Sequence, residues 1–147
     1  MDFPEALIRG QIAPRKVYRF NDTVPNGTGI ISGHWHICFK VKDSIVYLLC
    51  CTTKEQTIDK YLHANHLDDK TKVYIAPTTE NGLEKDTFLN CNTIRFCELD
   101  DLVKLLKDGL VQFTGEISDE EFQKIRIGIL SSSVVEPIIQ EFVRDDV

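Results

Sequence analysis

The alternation of apolar and polar side chains is sharpest between residues 34 and 42. Trp35, Ile37, Phe39 and Val41 occupy the odd positions, and His34, His36, Lys40 and Lys42 the even ones, with Cys38 the only apolar member of that set. A period of two marks a half-buried strand. It predicts an apolar side turned to the core and a cationic, titratable side turned to solvent. Asp43-Ser44 supplies a tight turn, after which Ile45 to Cys51 is apolar throughout, as in a central strand covered on both sides. Upstream, Val17-Tyr18-Arg19-Phe20 reads as a short strand, followed from Asn21 to Gly33 by a surface loop rich in Asn, Pro, Thr and Gly.

Downstream, residues 55–66 predict a helix with Ile58, Tyr61 and Leu62 on one side, ended by Asp68-Asp69-Lys70. A strand follows from Lys72 to Ala76 and stops at Pro77; another spans Thr87 to Phe96, after the turn signal Glu80-Asn81-Gly82. The last third is predicted helical. Leu99, Leu102, Val103, Leu105 and Leu106 form a stripe that ends at Asp108-Gly109, where glycine can take the left-handed cap. Ser118-Asp119-Glu120-Glu121 is a capping box that opens a helix burying Phe122, Ile125, Ile129 and Leu130. Pro137 falls in the first turn of a short terminal helix carrying Ile138, Ile139 and Phe142. Short strands followed by helices, without alternation of the two, predict an α+β fold, mainly β, with C-terminal helices: a small antiparallel barrel or an α+β domain rather than a doubly wound sheet, one domain over residues 1–147.

Composition narrows the setting. With 147 residues, 42% hydrophobic and 27% charged, the chain can build a core without disulfides or metal. Its apolar runs are too short to span a membrane, and the start lacks the basic stretch of a secretory signal, so the expectation is a cytoplasmic protein without membrane association. Five cysteines, odd in number and in apolar segments, predict reduced and mostly buried thiols. The formal charge of −6 argues against nucleic-acid binding by bulk attraction. The distribution is uneven: residues 1–60 carry eight basic and six acidic side chains, whereas residues 61–147 carry nine and seventeen. An anionic ligand therefore belongs to the first half.

On the predicted polar side of the second strand, His34 and His36 lie about 7 Å apart along the chain and suit general acid and base work at opposite ends of one phosphodiester, with Lys40 or Lys42 offsetting charge. The alternative is a solvated strand whose histidines are hydrogen-bonded at a rim. His34, His36 and Cys38 are also possible zinc ligands, but i, i+2, i+4 positions on one straight strand diverge too far to surround an ion. His63 and His66 read as surface residues. Thr52, Thr53 and Lys54 stand where the central strand leaves the core, as ligand groups or as turn formers. Asn90, Asn92 and Arg95 are placed either to read nucleotides or to satisfy backbone groups.

The order of these segments resembles the PemK/MazF-like toxins of bacterial toxin–antitoxin systems, small SH3-like barrels that cleave single-stranded RNA. The resemblance covers nearly the whole chain. Val17 to Phe20 is similar to their first strand, Asn21 to Gly33 to the loop beside the active site, and His36-Ile37-Cys38-Phe39 to the strand after it. Val46 to Thr52 resembles their apolar strand ending in threonine, and Asn92-Thr93-Ile94-Arg95 their Gln-Ile-Arg segment. Gly115 to Ser118, with Phe122, Ile125 and Ser131 to Ser133, is similar to their closing helix. Here Gly33-His34-Trp35-His36 stands where the best-known branch has arginine and proline, and residues 55–72 resemble an insertion. The resemblance implies a metal-independent, cofactor-free endoribonuclease acting through a 2′,3′-cyclic phosphate, a homodimer neutralised by an antitoxin protein. His34, His36 and Thr52 would be catalytic, and Arg19, Lys40, Thr53, Lys54, Asn92 and Arg95 would bind substrate. The alternatives are an inactive SH3-like interaction module and a His/Cys metal-binding protein.

Overall fold

The computed structural model describes residues 3–24, 31 and 33–144. Of the loop predicted between Asn21 and Gly33, residues 25–30 and 32 lie outside the described residues.

The alternating segment and the apolar run that follows form the central hairpin, in which β2 (Trp35–Lys42) pairs antiparallel with β3 (Ile45–Thr52). Asp43 and Ser44 both take left-handed backbone, with φ of 52° and 66°, which suits a two-residue connection between right-twisted strands. On the far edge of β2 lies β1 (Lys16–Phe20), followed by β7 (Val111–Glu116). On its other side β3 has two partners. Residues 45–48 pair with β6 (Arg95–Glu98), whereas Cys51 and Thr52 pair with β5 (Thr87–Asn90), which carries β4 (Lys72–Ile75). Every pairing is antiparallel, along the path β4-β5-β3-β2-β1-β7 with β6 beside β3. The fold is mixed α+β, as expected. No ladder among the described residues joins β4 to β7, so the sheet is not closed into the predicted barrel.

Among the described residues, five α-helices dress this sheet: α1 (Phe3–Gly10), α2 (Glu55–Ala64), α3 (Leu99–Lys107), α4 (Asp119–Leu130) and α5 (Pro137–Arg144). They are spread along the chain rather than gathered at its end. The start of α4 is the predicted capping box: Ser118 Oγ accepts from the Glu121 amide at 3.1 Å, and Glu121 Oε1 accepts from the Ser118 amide at 2.9 Å. Gly109, with φ of 75°, follows α3 as the sequence predicted.

Both sides of the sheet are covered. Val17, Ile37, Leu49 and Leu89 pack with Phe122, Ile125 and Ile129 of α4 and Val143 of α5. Opposite them, Tyr18, Phe20, Cys38 and Leu48 pack with Leu102 and Val103 of α3 and with Ile12. Each fully buried Ile or Leu in these clusters contributes roughly 1.5–3 kcal/mol. Three features depart from the sequence reading, the first being α1, which the pattern does not predict. The strand expected over residues 87–96 is two, β5 and β6, broken by a turn at Cys91-Asn92-Thr93, and β7 interrupts the last third, which was expected to be helical. Among the described residues no helix is long and apolar enough to cross a membrane.

Candidate functional site

The expected cationic side of β2 does not exist as a single surface. Cys38 pairs with Leu48 and Lys40 with Tyr47, leaving Phe39 as an extra residue. A bulge of one residue reverses which side each later side chain occupies. Before it, His36 and Cys38 lie on the α3 side of the sheet. After it, Lys40 is half-buried beside Tyr47, and the Lys42 ammonium sits 5.3 Å from the ring of Phe142 on the opposite side. His36 is inside the protein, with 0% exposure, its ring packed edge-on to Phe20 at 4.5 Å. The Ile31 amide donates to His36 Nε2 at 3.4 Å, so the proton is on Nδ1, which faces the His34 carbonyl at 3.3 Å. Burial pushes the pKa of this imidazole down to about 3. His36 is therefore a neutral core residue and not an exposed acid or base.

His34 has a different environment. His34 lies just before β2, whose pairing with β3 begins with His36 opposite Cys50. His34 Nδ1 donates to the Cys51 carbonyl at 3.0 Å. A carbonyl oxygen can only accept, so this bond keeps a proton on Nδ1, and in the neutral ring the lone pair is then on Nε2. His34, Trp35, Thr52, Thr53 and Lys54 line one cleft of about 310 Å³, at the small end of the ~300–1,000 Å³ range of small-molecule sites. Thr52 Oγ1 accepts the Lys54 amide at 3.1 Å, which turns the chain out of β3 and carries Lys54 to the mouth. From there α2 begins without a side-chain cap.

The opposite wall comes from Leu83, Glu84, Lys85 and Thr87. Asn81 holds this loop: its Oδ1 accepts from the Thr78 and Leu83 amides and its Nδ2 donates to the Ala76 carbonyl at 2.9 Å. Gly82 has φ of 71°, and a Cβ there would stand 2.4 Å from the Thr114 carbonyl oxygen. Only glycine fits. The turn signal at Glu80-Asn81-Gly82 was legible in the sequence. That Glu84 and Lys85 would face His34 was not, because nothing periodic connects a loop to a strand end fifty residues away.

The other expected ligand residues scatter. Arg19 is exposed on β1 and does not line the cleft; its guanidinium lies 5.2 Å from the centre of the ring of Trp35, which does. Asn92 is buried in a structural knot: its Nδ2 donates to Thr71 Oγ1 at 2.8 Å, and its Oδ1 accepts from Ser132 Oγ at 2.7 Å. Asn92 therefore ties the β5 turn to the end of α4 and does not face a groove. Arg95 is half-buried on β6, opposite Leu48, on the same side of the sheet as His36. All five cysteines are free. Cys50, the most accessible, has its thiol pushed up to about 11, because burial outweighs the nearby Arg95 charge. His63 and His66 are exposed. Among the described residues no group of three or more His, Cys, Asp or Glu side chains is placed to hold a metal ion.

No protein-family model matches the chain, and no curated protein sequence matches it.

Proposed function

We propose that the cleft between the ends of β2 and β3 is the active centre of a PemK/MazF-like, metal-independent endoribonuclease that cuts single-stranded RNA. The observation that carries this reading is the meeting of His34, Thr52, Thr53 and Lys54 on one small cleft, with Lys85 on the facing wall as its second lysine. His34 Nε2 takes the proton of a ribose 2′-hydroxyl. The freed oxygen attacks the adjacent phosphorus, the bond to the 5′-oxygen breaks, and the Lys54 ammonium protonates the departing oxygen. The products are a 2′,3′-cyclic phosphate and a 5′-hydroxyl. The Cys51 carbonyl keeps His34 in the required tautomer, and the Thr53 hydroxyl and Lys85 offset charge on the phosphorane. Thr52 shapes the turn, its oxygen being engaged by the Lys54 amide. His36, the second histidine of the sequence-based scheme, contributes packing only. The functional unit would be a homodimer restrained by an antitoxin whose acidic segment fills the cleft.

Mixed-sequence RNA incubated with the protein in EDTA should yield fragments ending in cyclic phosphate. His34→Ala should slow that cleavage by at least a hundredfold with thermal unfolding unchanged. RNA left intact by the folded wild-type protein would favour a non-catalytic interaction module instead.

A further inference from the structure

The rim of this cleft carries a feature that proton transfer does not use. Trp35 is half-buried and packs against the α4-side core, and its Nε1 is buried. Arg19 is directly opposite Trp35 across the β1–β2 ladder, so the two side chains leave the sheet on the same side, and its guanidinium lies 5.2 Å from the indole centre. The arginine side chain is exposed. A delocalised, weakly hydrated plane held over an indole is a preformed shelf for another flat π-system, at a lower ordering cost than a free arginine.

We propose that Trp35 and Arg19 form a stacking shelf for one unpaired nucleobase, giving an indole–guanidinium–base tier beside the cleft that receives the adjoining phosphate. This rests on the reading of the cleft as a single-stranded RNA site and adds to it the group that recognises the base. Arg19 contributes here through its plane more than its charge. Lysine at the same place keeps the charge and loses the shelf.

The test uses the full-length protein and a labelled, mixed-sequence 2′-O-methyl RNA, which lacks the attacking hydroxyl, beside the same strand made abasic. Affinity is read by anisotropy, and Trp35, the one tryptophan of the chain, reports by its emission. The wild-type protein should bind the base-bearing strand at least fivefold more tightly than the abasic one, with a saturable change in emission. Arg19→Lys should remove most of that preference and leave abasic affinity within twofold. Arg19→Lys that behaves as wild type, equal affinity for both strands, or no binding of either overturns the shelf. Unmodified RNA in EDTA is run in parallel. Cleavage without base-dependent binding leaves the nuclease standing and removes the shelf; base-dependent, Arg19-sensitive binding without cleavage does the reverse.

Discussion

His34 and His36 are two residues apart, yet one lines a cleft and the other is sealed against Phe20. The buried imidazole has a measurable cost. Above pH 6.5 it is neutral in the native and unfolded chains alike and pH has no hold on it. As pH falls from about 6.5 towards 3, the unfolded chain gains a proton that native His36 refuses, and stability drops by up to about 1.4 kcal/mol per pH unit. Urea denaturation at pH 7 and pH 5 should therefore cost the wild-type protein about 2 kcal/mol more than His36→Gln, whose amide can still donate and accept. An equal loss in both proteins would mean that His36 titrates normally. The sequence could not separate the two rings, because alternation reports a period and not whether a helix lies over the second side of the sheet. Here α3 does.

Among the elements, those with a local cause were legible. The β2–β3 hairpin follows from its alternation and turn, and α4 from its cap. Ser118→Ala, which removes one half of that box, should lower stability by about 1 kcal/mol in denaturant titration. What escaped the sequence had tertiary causes. The Phe39 bulge sits inside an alternation interrupted only at Cys38, so the pattern predicts one solvent-facing row of imidazoles and ammonium groups where the strand supplies two half-rows on opposite sides. β7 is held by β1, remote in sequence, and α1 by packing on α3. Gly128 shows the same dependence: a Cβ there would come 2.7 Å from Cys91 Sγ and 3.1 Å from the Lys70 carbonyl, where α4 presses on the β5 turn. Gly128→Ala should cost about 1–3 kcal/mol, seen as a lowered melting temperature, although alanine is ordinarily the better helix former.

At the level of the whole molecule, the position of β3 governs the site. One half of this strand is hydrogen-bonded to β6 and the other half to β5, and Thr52 belongs to the second half. The antiparallel skeleton β7-β1-β2-β3-β6 can therefore persist while the β5–β4 arm loosens. Hydrogen exchange should resolve two populations of strand amides, with those of Val73, Leu89 and Thr52 opening at lower free energy than those of Ile37 and Leu48; a single shared opening energy would contradict this. Because the Leu83–Thr87 wall leads directly into β5, fraying of that arm would dismantle one jaw while leaving His34 seated on the other. Two such populations would make access to the proposed reaction centre separable from the integrity of the fold, and surface substitutions in the 72–90 arm would then tune the first without surrendering the second.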